Sequence, residues 1–185
     1  KMTGTGALSS RTFFAESITI DGSKTAKFCT VHDKHLVVAG DPSTPSTIYF
    51  SATNDPTSFS GTGSGSIALE DQIVGIKSFR NDLIIFCQNS LFKLININDS
   101  SNIAVVPITQ NVGCMDGASI QEIGGDLLFL SPDGLRTVAG TARIGDVELS
   151  SVSRPIQSII QNIADNINNF TITSAVLRSK SQYRA

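Results

Sequence analysis

The segment NDLIIFCQNSLFKL, residues 81–94, aligns without a gap over GDLLFLSPDGLRTV, residues 125–138. Each segment runs from a polar turn into an apolar strand, and then through a second polar turn into another apolar strand. The stretch KHLVVA, residues 34–39, begins in the same way, but an insertion at residues 41–45 separates it from the apolar strand at residues 48–50. The chain therefore carries one strand–turn–strand unit twice, and a third time in looser form.

The copies recur at a period typical of a β-repeat. Leu36, Leu83 and Leu127 hold the same position in the three copies and lie 47 and 44 residues apart. A repeat of this length made of strands is the signature of stacked β-sheet blades. We therefore predict an all-β fold of β-propeller-like blades of antiparallel strands. Such folds bind, conduct or scaffold more often than they catalyse.

The repeat units are predicted near residues 31–60, 73–97 and 117–140, and a further unit begins near residue 171. About 14 predicted strands, at about four per blade, make between three and four blades, and a propeller needs at least about four to close. We therefore expect residues 1–185 to be a single β-rich region that forms an incomplete propeller and is a fragment of a larger protein.

Further strands are predicted outside the clear copies. Thr12 to Val31 predicts two strands around Asp21–Gly22, a favourable hairpin dipeptide. Gly145 to Ser150 predicts one more strand, and Phe170 to Leu177 predicts a strand after the helical segment described next.

One segment has the periodicity of a helix. Its apolar residues fall on one helical face, and they are Ile156, Ile159, Ile160, Ile163 and Ile167. This stripe predicts one amphipathic helix near residues 154–168. We expect the stripe to be buried against the sheets or against a neighbouring subunit, because soluble proteins avoid large exposed apolar patches.

The composition excludes several classes of function. Charged residues make up 16% of the chain, against a usual ~25%. The net charge of −2 gives no basic footprint for nucleic acid. No run of about 18 apolar residues occurs, so we predict no membrane-spanning segment. Trp is absent and only two Tyr are present, which weakens any function that needs large aromatic binding platforms.

The three cysteines are too far apart in sequence for a common metal or disulfide motif. Zinc sites use paired spacings, and disulfide scaffolds use more cysteines in fewer residues. Cys29 and Cys87 lie inside apolar strand runs, where free cysteine behaves as a small buried hydrophobe. We predict buried, reduced thiols, which favours assembly in a reducing cytosol.

Two polar segments are candidates for binding sites, and the sequence favours a simple turn or loop for each. His32, Asp33 and His35 could contribute to a zinc site, but they occupy the turn position of the repeat, so we predict a solvated turn. The segment Gly61–Gly65 lacks the Lys-Ser/Thr ending of a phosphate-binding loop, and no helix pattern follows it. We predict a mobile connecting loop there.

Acidic residues are the remaining candidates for catalysis, because glycosidases need two carboxylates facing each other across a cleft. Most of the acidic residues here precede a strand or occupy a turn, where a carboxylate accepts backbone N–H bonds. The residues in question are Glu70, Asp71, Asp82, Asp116, Glu122, Asp126 and Asp133. We predict that the protein is not an enzyme, with no catalytic, cofactor-binding or metal-binding residues.

The strand and turn segments also form a longer pattern, at residues 35–40, 48–51, 54–59, 73–76, 82–86 and 90–94. The pattern continues at 112–114, 125–135 and 179–184, and the pair 112–114 with 125–135 is its most specific piece. It resembles the virion structural proteins of tailed bacteriophages, and most nearly the β-propeller tail nozzle family of short-tailed phages, also called tail tubular protein B. The resemblance covers about residues 30–184.

The resemblance implies a structural role in the virion, in the tail or neck, where a ring of copies forms the conduit for genome ejection. The implied partners are copies of the same chain, other virion tail or neck proteins, and DNA as a passing, weakly contacted cargo. The implied localisation is the virion, after assembly in the host cytoplasm. A weakly charged chain suits a conduit, because Lys and Arg dominate phosphate binding.

Two other functions stay open at the level of sequence. The first is a receptor- or glycan-binding β-propeller module of a tail fibre or cell surface, which an exposed aromatic patch on one rim would favour. The second is an enzyme such as a glycosidase, which two facing carboxylates in a deep pocket would favour.

Overall fold

The computed structural model describes residues 20, 24–139, 157–177, 179 and 182–184. In this part of the chain the fold is all-β, as predicted, with antiparallel strands throughout and one α-helix. The predicted strand at residues 145–150, and most of the first predicted hairpin before residue 24, lie outside the described residues.

The described strands form four antiparallel sheets, in which neighbouring strands are consecutive along the chain. Sheet 1 contains β1 (Phe28–His32), β2 (His35–Asp41), β3 (Thr44–Phe50) and β4 (Gly65–Ala68). Sheet 2 contains β5 (Ile73–Phe79), β6 (Asp82–Cys87), β7 (Leu91–Ile95) and β8 (Ala104–Thr109). Sheet 3 contains β9 (Gln121–Ile123), β10 (Asp126–Ser131) and β11 (Gly134–Thr137), and sheet 4 contains β12 (Ala175–Leu177) and β13 (Gln182–Arg184).

The two aligned sequence segments form equivalent hairpins. In the hairpin β6–β7, Ile85 pairs with Phe92. In the hairpin β10–β11, Phe129 pairs with Arg136, which is the same pair 44 residues further along. In both β6 and β10 the first residue is half-buried and the next five are buried. The two hairpins therefore share one register and one burial pattern.

The first two strands of sheets 1, 2 and 3 are joined by two-residue turns. In the turns of sheets 1 and 3 both residues have positive φ, with 43° and 69° in Asp33–Lys34 and 60° and 79° in Gly124–Gly125. In Arg80–Asn81 the first residue has a φ of 55°. Positive φ at these positions gives a turn whose twist matches that of the strands it joins. The same connection thus recurs at the start of three successive sheets.

Sheet 2 packs between sheets 1 and 3. The side chains of β6 alternate between the two faces of sheet 2, so this one strand contributes to a core on each side. Leu83, Ile85 and Cys87 belong to the core shared with sheet 1, and Ile84 and Phe86 belong to the core shared with sheet 3. All five are at most 4% exposed. Full burial of one such apolar side chain stabilises a fold by roughly 1.5–3 kcal/mol, so β6 anchors both cores.

The two cores draw on repeat-equivalent residues. Sheet 1 contributes Val37, Ala39, Ile48 and Phe50 to the first core. Sheet 3 contributes Leu127 and Phe129 to the second core. The segments on either side of the sheet contribute Val112, Cys114, Ile120 and Val138. The rings of Phe86 and Phe129 meet edge to face, with centroids 5.4 Å apart. The contact between sheets is therefore built from alternate strand residues throughout.

The connection from sheet 2 to sheet 3 is closely fitted at one glycine. The amide of Cys114 donates to the Cys87 carbonyl at 2.9 Å. A Cβ added to Gly113 would lie 1.8 Å from the Gln88 carbonyl oxygen, so no side chain fits there. This approach holds the connection against the end of β6.

The predicted helix is present, within the predicted bounds, as α1 (Gln157–Asp165). Of the predicted isoleucine stripe, Ile160 is buried within the chain at 4% exposure, whereas Ile159 is 59% exposed, so burial of Ile159 against a neighbouring subunit stays a prediction. The helix contacts β11. Ile156 lies outside the described residues. In the described part of the chain, no helix has the length and apolarity needed to cross a membrane.

The strand predicted from Phe170 to Leu177 is shorter than expected. Only Ala175–Leu177 forms a strand, β12, and Ile167–Asn169 is a short 3₁₀ turn. The prediction is wrong for residues 170–174, which pair with no strand in the described part of the chain.

Replacing Ile160 with Asp should destabilise the fold by several kcal/mol, because it places an unpaired charge in a buried site. The matched control is Ile159→Asp, the same change one residue away at an exposed position, and it should leave stability within about 0.5 kcal/mol of the parent. Urea unfolding followed by circular dichroism measures both. Equal stabilities for the two variants would contradict the burial of Ile160.

Replacing Phe86 with Ala should lower the free energy of unfolding by about 3–5 kcal/mol, because it removes a fully buried ring and leaves a cavity between sheets 2 and 3. Phe170→Ala is the control, since Phe170 is 48% exposed. Chemical denaturation of both variants, at constant slope against denaturant concentration, tests this. A loss for Phe86→Ala no larger than for the control would contradict the stacking of these sheets.

Candidate functional site

The histidine cluster lies at the turn between β1 and β2, and its two histidines are buried. His32 is 6% exposed and His35 is 0% exposed, while Asp33 and Lys34 between them are exposed. The prediction of a solvated turn is therefore wrong for the histidines. His32 and His35 are a paired position of the hairpin, and strand alternation turns both toward sheet 2 with the core residues of that face.

Hydrogen bonds use the histidine nitrogens to tie sheet 1 to its surroundings. His35 Nδ1 lies 2.6 Å from the Ser51 carbonyl, to which it must donate, and His35 Nε2 lies 2.9 Å from Asn98 Oδ1. His32 Nδ1 bonds Ser78 Oγ of sheet 2 at 2.9 Å. The bonds to Ser78 and Asn98 join sheet 1 to sheet 2, while the bond to Ser51 stays beside β3 of sheet 1, and together they form a polar clasp at the first core.

The amide of Asn98 completes the clasp. Its Nδ2 donates to the backbone carbonyl of Asp33 at 3.3 Å and also to the Asp33 carboxylate. Both ring nitrogens of His35 are thus occupied by protein groups, and so is the nearest carboxylate. In the described residues, no group of three or more His, Cys, Asp or Glu side chains is arranged to hold a metal ion.

Burial lowers the pKa of His32 below its usual value of 6.5. The nearby carboxylates of Asp33 and Asp82 act in the opposite direction, and burial outweighs them. The neutral imidazole is therefore the form that the folded chain favours near neutral pH.

Most of the predicted acidic candidates cap turns and strand ends. The Asp71 carboxylate accepts from the Asn89 amide and the Ser90 hydroxyl, each at 2.7 Å. Asp116 accepts from the Ala118 amide at 2.8 Å at the start of a 3₁₀ turn. Asp133 pairs with the buried guanidinium of Arg136 at 2.9 Å, and Glu70 and Glu122 are exposed. Their structural bonds agree with the roles predicted from the sequence.

The structure brings Asp82 and Asp126 to the same cleft, which the sequence did not indicate. This cleft of about 310 Å³ lies at the turn end of sheets 2 and 3, and Arg80 and Ala139 also line it. Asp82 lies 3.7 Å from the ammonium of Lys93. Both carboxylates stand at the first position of their strands, β6 and β10, as repeat equivalents. The sequence predicted that each aspartate lies at a turn just before an apolar strand, and both lie there.

The bonds of Asp126 close its own hairpin. Its carboxylate accepts from the Leu127 amide at 2.8 Å and from the Ala139 amide at 3.1 Å. The guanidinium of Arg80 donates to the Gly125 carbonyl at 2.7 Å. This bond joins the turn of sheet 2 to the turn of sheet 3, whereas Asp82 and Asp126 bond within their own sheets.

A second cleft, of about 290 Å³, lies at the opposite end of the strands, where Phe28, Asp41, Ile73 and Met115 line it. The ammonium of Lys27 lies 5.4 Å from the centroid of the Phe28 ring on one wall. The cleft lies between the first residues of β1 and β5, at one end of the contact between sheets 1 and 2.

Asp41 is the most heavily bonded carboxylate on that cleft, and the sequence analysis did not single it out. It accepts from the amides of Thr25, Ser43 and Thr44 at 2.9–3.1 Å, and from their hydroxyls. The Ser43 hydroxyl and the Thr25 amide are the main causes of its strongly lowered pKa. The Asp-Pro-Ser-Thr order at 41–44 is a turn signal that could have identified this role.

The cysteines differ in their environments. Cys87 and Cys114 are buried, and burial raises the pKa of each thiol to about 12. Cys29 is exposed, so the prediction that it is buried is wrong. Its strand, β1, lies at the edge of sheet 1, and Cys29 points to the face of that sheet turned away from sheet 2.

The glycine-rich segment leads into a strand. The Ser64 amide donates to the Gly61 carbonyl at 3.1 Å, and β4 begins at Gly65. The element that directly follows is a strand and not a helix, so this segment does not lead into the helix N-terminus that a phosphate-binding loop uses. The two tyrosine hydroxyls are engaged, that of Tyr49 with Thr44 Oγ1 at 2.9 Å and that of Tyr183 with the Ser119 carbonyl at 3.0 Å.

Comparison with known proteins identified no relative of this chain. The sequence matches no protein-family model and no curated protein.

The stability of the fold should fall as the pH drops below 6.5, because of His32. In the unfolded chain this histidine has its usual pKa of 6.5, and in the folded chain its pKa is lower. Between the two values the unfolded state binds more protons, so the stabilisation is present above pH 6.5 and is lost as the pH falls.

Urea unfolding of the parent chain and of His32→Gln across this pH range measures the effect. The variant should show a smaller slope of stability against pH, and the two curves should run parallel above about pH 7. Equal slopes for parent and variant below that pH would contradict the assignment to His32.

Proposed function

We propose that this chain is a β-propeller-like structural component of a tailed-phage virion, placed in the tail or neck. In this role it is not an enzyme. It forms part of a ring of copies that serves as the conduit for genome ejection, and it contacts other tail or neck proteins. It is assembled in the host cytoplasm, and DNA passes through it as a weakly contacted cargo.

The observation that carries the proposal is the stacking of successive antiparallel sheets in one repeated register. The hairpins β6–β7 and β10–β11 share their strand pairs and their burial pattern. Four-stranded meanders in chain order are the units from which propellers are built. The sequence resemblance to the tail nozzle family is the ground on which we propose a place in the tail or neck.

The electrostatic character of the chain also supports a conduit. A wall along which DNA slides needs few free cations, because Lys and Arg contacts to phosphate hold the DNA. The net charge is −2. In the described clefts Lys93 pairs with Asp82, and Arg80 bonds the Gly125 carbonyl, so these cations are engaged within the protein.

A receptor- or glycan-binding module stands second. Such modules present exposed aromatic rings, and both tyrosine hydroxyls here are engaged with the protein. Among the described residues, Phe170 is the aromatic side chain that ranks with the exposed large hydrophobics. One isolated ring makes no platform, so the nozzle-like role is the better supported of the two.

Electron cryo-microscopy of particles of a phage that encodes this sequence tests the proposal. We expect density for this fold in the tail or neck, in several copies related by rotation around the channel. Gold-labelled antibodies against the chain should mark the same place, with antibodies against the major capsid protein as the control.

Absence of the protein from purified particles would overturn the proposal. Labelling of fibre tips, together with binding to host-surface glycans, would favour the receptor-binding module instead. Tight binding of the purified chain to DNA at about 0.15 M salt would contradict the weakly contacting conduit.

A further inference from the structure

One face of the hairpin β10–β11 carries two buried polar side chains. Ser131 is 1% exposed and Arg136 is 4% exposed. In the described part of the chain, Ser131 Oγ and Arg136 Nε are buried atoms without a hydrogen-bond partner. Nearly all buried polar atoms in folded proteins are hydrogen-bonded, because an unpaired one has lost its bonds to water and gained none in return. Both atoms therefore point to a group that bonds them.

The two side chains are diagonal neighbours on that face. Phe129 pairs with Arg136 and Ser131 pairs with Gly134, so strand alternation puts Ser131 and Arg136 on the same side as Phe129. That side faces sheet 2, because Phe129 belongs to the second core. Diagonal neighbours lie roughly 7–8 Å apart, a separation that a long side chain can span. The hydroxyl and the guanidinium are thus held near each other without bonding each other directly.

The charge of Arg136 is paired at the other end of its guanidinium. Its Nη2 donates to the Asp133 carboxylate at 2.9 Å, and the Asp133 side chain is 59% exposed. The guanidinium therefore reaches from the exposed turn to the face that is turned toward sheet 2. Its Nε–H can only donate a hydrogen bond, whereas the Ser131 hydroxyl can both donate and accept. A group that joins the two must accept a hydrogen bond from Nε.

The equivalent positions of sheet 2 are apolar. Cys87 and Phe92 stand 44 residues before Ser131 and Arg136. Cys87 belongs to the first core and Phe92 packs against it. Free cysteine behaves as a small hydrophobe, so this copy of the hairpin has no strong donor to satisfy there. In sheet 3 both positions are polar, which indicates that the two residues act as a pair.

We propose that Ser131 and Arg136 bind one buried water molecule, which accepts a hydrogen bond from Arg136 Nε and bonds the Ser131 hydroxyl. Water fits because it accepts, donates and carries no charge. An anion would add an unbalanced negative charge at a buried site, since Arg136 is already paired with Asp133. The other bonds of the water can go to backbone carbonyls, whose oxygens have two lone pairs each.

Buried waters with about three such bonds are regular parts of folded proteins. At this site the water lets a guanidinium stand beside an apolar core, so that one side chain joins the second core to the turn of the hairpin. The site is independent of the virion role proposed above, because it rests on the packing of sheets 2 and 3 alone.

A crystal structure of the full 185-residue chain, at a resolution that shows ordered water, tests the site. We expect a density peak within about 3.2 Å of both Ser131 Oγ and Arg136 Nε. Crystals soaked in bromide distinguish water from an anion, because bromide would replace a bound anion and give an anomalous signal. Such a signal, a direct bond between the two side chains, or a map with no peak at this position overturns the proposal.

Urea unfolding of the full chain gives a second readout through Ser131→Ala, Arg136→Leu and the double variant. Each single change removes one partner of the water, and the double change removes the need for it. The double variant should therefore raise the unfolding constant less than the product of the two single effects, by about twofold or more. The lost ion pair with Asp133 is common to both Arg136 variants and cancels in this comparison.

The matched control replaces the exposed partner of Arg136 and leaves the buried side chains in place. Asp133→Asn keeps an acceptor for Nη2, and its effect on the unfolding constant should multiply with that of Ser131→Ala. Independent effects of Ser131→Ala and Arg136→Leu, like those of the control pair, would contradict a shared water. The crystal structure of the parent chain decides the site even if a variant does not fold.

Discussion

The burial of β6 from both sides is the interaction on which the rest of the structure depends. Leu83 and Ile85 face sheet 1, while Ile84 and Phe86 face sheet 3, so one strand belongs to two cores. The five buried positions of β6, 83–87, are all apolar, because an unpaired charge there would be strongly destabilising, and the one charged residue of the strand, Asp82, stands at its half-buried first position. The polar contacts of His35 and both clefts accordingly lie at strand ends.

The same constraint explains what the sequence could predict. A strand covered on both faces must be a continuous apolar run between turn residues. The runs at 83–87 and 127–130 have this pattern, and it predicts two fully buried strands. The hairpins, their equivalence and the all-β class follow from such local patterns. The two-residue turns were recognisable from their polar residues and glycines.

What could not be predicted depends on contacts between distant residues. His35 occupies a polar turn in the sequence, and its burial follows from strand alternation and from Asn98, which lies 63 residues away. Cys29 looks like a core residue, but its strand is at an edge and its side chain points away from sheet 2. Ile159 and Ile160 are equally apolar, and only the position of α1 against β11 decides which one is buried.

The pairing of consecutive strands has a consequence for how the chain reaches its structure. Every hydrogen-bonded strand pair in the described sheets joins strands that follow one another in sequence. Closing a short loop costs little conformational entropy, so the hairpins with two-residue turns need only neighbouring residues in order to form. During synthesis, sheet 1 can complete its ladder before β5 leaves the ribosome. The core of sheet 1 closes only when sheet 2 has been added, because Leu83 and Ile85 belong to it.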